Sequence, residues 1–146
     1  VPDSVQVKVE YTFSDVSVPI VGFYDAAWLE LGIITDIKTQ LRNLNKSIKA
    51  SHARQVALYS AAISDNIDAR ITYITDKKSG DRAASYHLEN YREHLDALHS
   101  MALTMQRFLA LSSDPKDLAA LVIPDIDSFY FNDPITRQNA FEVYGL

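Results

Sequence analysis

Few residues in this chain are of a type and spacing that could do chemistry. A metal site on a helix needs ligands three or four residues apart, because only those side chains share a face. The histidines are His52, His87, His94 and His99, and no H-x-x-x-H or E-x-x-H pattern occurs. His87 and His94 would stand about 10 Å apart along a helix axis, too far to share one ion, and ferritin-like di-iron chemistry is excluded with them. Asp96 and His99 have the spacing of a ligand pair, but histidines that border a core and bond locally explain the pattern more simply. Nucleophile elbows and phosphate loops need glycines for close backbone approach. Gly22, Gly32, Gly80 and Gly145 fall in no such pattern. The absence of cysteine removes thiolate ligands, disulfides and cysteine nucleophiles. Asp65 with Asp68, and Asp125 with Asp127, read as a solvated helix face and a polar loop. The expectation is no catalytic residue, no metal, no cofactor, and a protein that is not an enzyme.

Charge is the more informative pattern. Lys38, Arg42, Lys46 and Lys49 are spaced four, four and three, with Arg54 following, and no acidic residue lies between Asp36 and Asp65. On a helix these form a basic stripe, a candidate site for phosphate, RNA or a protein partner. The C-terminal segment carries Asp114, Asp117, Asp125, Asp127, Asp133 and Glu142 against Lys116 and Arg137. Head-to-tail assembly of copies is the second reading of this asymmetry, and a solvated face is the third. The net charge of −5 gives no general attraction to nucleic acid or anionic membrane.

The elements that would position these charges follow from periodicity. With 146 residues, 47% of them hydrophobic, the chain reads as one globular domain. Val5, Val7, Val9, Tyr11 and Phe13 alternate with polar residues, which predicts a half-buried strand. This strand, or a hairpin closed by Val18–Phe23, occupies residues 1–24, and its open edge is a candidate interface for a second subunit. Residues 25–146 should form the bundle. Ile34, Ile37, Leu41, Leu44 and Ile48 predict a helix from Asp25 to Lys49, and a second should run from Ser51 to Ile74. Ala84, Leu88, Tyr91, Leu95, Leu98, Ala102, Met105 and Leu109 predict a third over 81–111. Asp114–Pro115 and Asp133–Pro134 each read as a cap followed by proline at the first helical position, opening short helices to Val122 and Tyr144. No stretch is apolar for long enough to cross a bilayer. The first residue, Val1, leaves a removed leader or a trimmed chain open, and nothing fixes the compartment.

The run Phe23–Leu31 (FYDAAWLEL), followed by a helix and by Ala53-Arg54-Gln55 opening a second one, resembles the start of rod-shaped plant virus coat proteins. The resemblance covers the first third of the chain and implies a bundle whose arginines near the second helix contact RNA. The remainder departs from that family, since the third helix is too long and the proline-rich closing segments have no counterpart.

These observations predict a mainly α fold: an antiparallel bundle of three long helices and one or two short C-terminal ones, with an N-terminal β-strand or hairpin. The leading functional expectation is a non-enzymatic structural subunit that self-associates or packs on a protein partner. The alternatives are a ligand-sensing receptor bundle, binding near His87, Arg92 and His94, and a coat-like polyanion-binding protein using the basic stripe.

Overall fold

The computed structural model describes every residue except Arg42, Asp65, Ser79 and Leu146. It corrects the predicted bundle. Five strands, β1 (Ser4–Tyr11), β2 (Ile20–Trp28), β3 (Ile33–Gln40), β4 (Asp68–Thr75) and β5 (Ala83–His87), form one mixed sheet in the order β1-β2-β3-β4-β5. Among the described residues four α-helices accompany it: α1 (Ala50–Ile63), α2 (Tyr91–Leu109), α3 (Pro115–Ala119) and α4 (Pro134–Tyr144). Neighbouring strands are antiparallel except β3 and β4, which run parallel from Ile33↔Asp68 to Gln40↔Thr75. Parallel neighbours need a crossover, and α1 supplies it. The segment boundary expected at residue 24 falls inside β2.

The predicted first helix is therefore β2, a tight turn and β3. Gly32 sits at φ 66°, the left-handed conformation that glycine adopts without penalty, and reverses the chain between the two strands. The run Ile33-Ile34-Thr35, followed by Ile37 and Thr39, is rich in β-branched residues, which suit a pleated surface better than a helix. The predicted second helix divides into α1 and β4, and the predicted third into β5 and α2. Asn90, at φ 53°, marks the break between these last two.

The chain forms two compact units, residues 1–103 and 104–146. In the first, α1 lies on one face of the sheet. Its Ala53, Val56, Ala57 and Tyr59 are buried against Val9, Tyr24, Ala27, Ile34, Ala69, Ile71 and Tyr73. Burial of such side chains contributes roughly 1.5–3 kcal/mol each for the larger ones. Tyr91, Leu95 and Leu98 of α2 pack on the same core. In the second unit the two Asp-Pro signals open helices as expected. Asp114 accepts from the Lys116 amide and Asp133 from the Thr136 amide, each at 2.8 Å, and Gly145 closes α4 in the left-handed conformation.

Candidate active site

The ladder between β2 and β3 is short. Its register runs Trp28↔Ile33, Ala27↔Ile34 and Ala26↔Thr35, and then the strands part. Asp25 stands at that fork. Its Oδ2 accepts the Ile37 N–H at 2.7 Å, a backbone donor that no longer has a strand partner on that side. Its Oδ1 accepts from Gln6 Nε2 at 3.0 Å.

Asp36 lies across the fork on β3. Residues two apart on a strand share a face, so Ile34, Asp36 and Lys38 all turn toward α1. Asp36 is only 2% exposed, a setting in which a carboxylate needs partners. Gln55 Nε2 donates to its Oδ1 at 3.1 Å. The Lys38 ammonium is 2.7 Å from its Oδ2, an oxygen that makes no aligned hydrogen bond. Burial pushes the Asp36 carboxyl above the usual carboxylate range, Lys38 opposes that shift, and the negative charge of Asp25 adds to it. The upward push locates the two carboxylates in one electrostatic neighbourhood.

Helix α1 holds this arrangement from above. Gln55 and Tyr59 are four residues apart and so lie on one face. The Gln55 amide spends its second hydrogen on Tyr59 Oη at 2.7 Å. The tyrosine hydroxyl donates in turn to the Phe23 carbonyl at 2.7 Å, and its approach to Asp36 Oδ1 is longer, at 3.3 Å. Burial first and the Asp36 charge second raise the Tyr59 phenol far above its ordinary value, so it remains a donor and not a base. Gly22 makes room for the ring. A Cβ there would lie 2.7 Å from Tyr59 Cε1 and 3.1 Å from Leu58 Cδ2.

The donor set suits a divalent cation of the magnesium class. Two carboxylates offer hard oxygen ligands, and each Asp25 oxygen carries one hydrogen bond and keeps a lone pair. Among the described residues no group of three or more His, Cys, Asp or Glu could hold a metal. A cation here would complete its shell with water and substrate oxygens, as magnesium does in phosphoryl-transfer sites.

Of the basic residues singled out from the sequence, and among the described residues, Lys38 is the one that reaches this centre. It comes from a strand, so the basic stripe on a first helix does not exist. Lys46 and Lys49 lie exposed between β3 and α1, Arg54 is half-buried on α1, and Arg42 lies outside the described residues. Lys49 is nonetheless near the centre: burial, then Lys38 and then Lys49 lower the His52 pKa. The predicted N-terminal strand forms, but β2 pairs with it. Val9 is in the core, Tyr11 and Phe13 meet edge to face at 5.0 Å, and Val5 and Val7 stay exposed. Three of the histidines bond to side chains distant in sequence: His52 Nδ1 with Tyr73 Oη at 2.9 Å, His87 with Asp68 at 2.5 Å, His99 with Asp15 at 2.6 Å. Asp127 pairs with Arg137 at 3.2 Å, and Asp65 lies outside the described residues. Sequence reasoning missed Gly22, Asp36, Gln55 and Tyr59 as site residues and took Asp25 for the start of a helix. The signal available was an Asp and a Lys two apart in a β-branched run, followed by Gln and Tyr at helical spacing.

No family model matches the chain, and no curated protein matches its sequence. Solved structures do match its fold. One is a "Putative exonuclease" from Eubacterium rectale, 18% identical, with a TM-score of 0.56 over 93% of this chain and 52% of that one. Another is SSO0001, 18% identical, with a TM-score of 0.50 over 83% of this chain and 59% of that one. The chain thus spans between half and three-fifths of the length of these two proteins. At such identity the likeness is one of fold. The mixed sheet overturns the helical bundle on which the expectations of a non-enzymatic assembly subunit, a receptor bundle and a coat-like protein were built.

Proposed function

We propose that the chain is a divalent-cation-dependent nuclease domain that hydrolyses phosphodiester bonds. The observation that carries this reading is the convergence of Asp25, Asp36 and Lys38 where β2 and β3 part, with the ammonium 2.7 Å from a buried carboxylate. A catalytic constellation of opposite charges in a desolvated site is a functional-site signature. The fold shared with the "Putative exonuclease" supports the same class.

Asp25 and Asp36 would hold the cation, which when bound supplies Lewis acidity and a more acidic water. Asp25 is fixed by donors from two flanking strands, and Asp36 by Gln55 and Lys38, so neither carboxylate has to reorganise on binding. Lys38 then aims a positive charge at the oxygens of the phosphate as negative charge builds on them. The water oxygen would form the new bond to phosphorus and give up a proton to solvent, the bond to the leaving alkoxide would break, and the alkoxide oxygen would take up a proton from solvent. Tyr59 and Gln55 touch none of the reacting atoms and hold Asp36. Lys49 and Arg54, on the α1 side of the centre, would meet the neighbouring backbone phosphates, which makes binding fall with added salt.

Incubation of the protein with end-labelled single-stranded DNA, duplex DNA and RNA tests this reading. Cleavage of at least one polynucleotide with magnesium or manganese, and none with a chelator, is the expected result. Absence of cleavage on all three substrates with every divalent ion would overturn it.

A further inference from the structure

Gln6 has a backbone conformation that its surroundings do not obviously require. It lies in the middle of β1, yet its φ is 53°, in the left-handed region that residues other than glycine, asparagine and aspartate rarely enter. Such strain persists only where neighbouring structure imposes it, and it gathers at functional sites.

The register shows what the conformation achieves. Before Gln6 and after it, β1 keeps one register with β2: Val5↔Ala26 and then Val7↔Tyr24, so no residue is inserted or lost. The facing of the paired strands nevertheless reverses. Gly22 and Tyr24 turn toward α1, the first against the Tyr59 ring and the second 6.4 Å from it between centroids. Three residues beyond Tyr24, Ala27 is again in the α1-side core, and its partner Ser4 has a hydroxyl 2.9 Å from Tyr24 Oη. Strict alternation would have sent Ala27 to the other face. The reversal falls at the opposed positions Gln6 and Asp25. It leaves the Gln6 amide 3.0 Å from Asp25 Oδ1 while Ile37 N–H holds Oδ2.

We infer that Gln6 is a positioning residue for Asp25: a strained residue on the first strand whose side-chain amide fixes the orientation of the carboxylate, so that its remaining lone pairs face Asp36. This rests on the nuclease reading above and names a component of that site from outside its two central strands. Groups that orient a metal-binding ligand in this way matter almost as much as the ligand.

Two substitutions separate the side chain from the backbone. Glycine accepts a φ of 53°, so Gln6→Gly removes the amide together with the strain, whereas Gln6→Ala removes the amide alone and keeps the strained conformation. The melting temperature of Gln6→Gly should stay close to wild type and that of Gln6→Ala should fall below it. Affinity for manganese, measured by calorimetry, should fall about 10- to 100-fold in both. In an Asp25→Asn background, Gln6→Gly should cause no further loss. Cleavage by Gln6→Gly should drop at limiting manganese and recover at saturation. A Gln6→Gly protein that binds manganese and cleaves as wild type does would overturn the positioning role while leaving the nuclease reading intact. A wild-type protein that neither binds manganese nor cleaves would overturn both.

Discussion

Gln55 of α1 donates through Nε2 to Oδ1 of Asp36 on β3 at 3.1 Å, and the same nitrogen donates to Tyr59 at 2.7 Å. A helix side chain thus helps set the position of a strand carboxylate that is almost wholly out of solvent. Gln55→Ala would remove the shorter of the two hydrogen bonds to that oxygen and leave the longer one from Tyr59, which destabilises by about 1–3 kcal/mol. The loss also favours the protonated form of Asp36, so the acid limb of the pH–rate profile should move to higher pH. A profile that keeps its acid limb while the rate falls would show that Gln55 acts on something other than Asp36.

Asp36 itself should trade stability for function. Its folded-state pKa is raised, chiefly by burial. Below the ordinary carboxylate pKa the acid is neutral in both states and has no differential effect. As pH rises through the folded-state value, the folded protein must ionise a group that the unfolded chain ionises more readily, and stability falls. Asp36→Asn should therefore be more stable than wild type at pH 7 without metal, and the advantage should shrink toward about pH 3. Urea melts in the presence of a chelator check this. A variant less stable than wild type at pH 7 would contradict it.

Lys38 should separate catalysis from metal binding. It is the ammonium nearest Asp36 Oδ2, and its side chain is 27% exposed, so truncation leaves no large cavity. Lys38→Ala should lower kcat by about 100- to 1,000-fold, the magnitude typical for loss of one transition-state donor. Manganese should bind at least as tightly as in wild type, because a competing cation has gone. Equal losses in kcat and metal affinity would place Lys38 in a structural role.

Gly22 is the most restrictive packing position at the site. The Tyr59 ring is fully buried and its hydroxyl is held by the Phe23 carbonyl, so it has nowhere to retreat from a methyl group at 2.7 Å. Gly22→Ala should destabilise by about 1–3 kcal/mol, and activity should fall more than Tyr59→Phe alone produces, since the whole ring moves. Denaturant midpoints and single-turnover rates measure the two effects. Wild-type stability for Gly22→Ala would show that α1 shifts without difficulty.

The legible parts of the sequence were those in which one local rule acts alone. Asp114–Pro115 and Asp133–Pro134 announce helix starts because cap and proline act within one turn, and the alternation at Val5–Phe13 announced β1. Residues 25–49 misled because polar groups of the candidate site interrupt the pattern. On β3 the face toward α1 carries Ile34, then Asp36, then Lys38, so polar groups occupy positions where an alternating strand would show apolar ones. With that signal erased, Ile34, Ile37, Leu41, Leu44 and Ile48 offered a helical spacing by coincidence. The site was illegible for a related reason. Asp25, Asp36 and Gln55 come from three elements, and only the fork between β2 and β3 brings them together.

The most direct measurement is single-turnover cleavage of an end-labelled polynucleotide by wild type and Asp36→Asn, purified side by side and assayed with manganese. A site built on Asp25, Asp36 and Lys38 predicts metal-dependent cleavage by wild type and a rate at least about a thousandfold lower for the variant. Equal rates from the two preparations would contradict it.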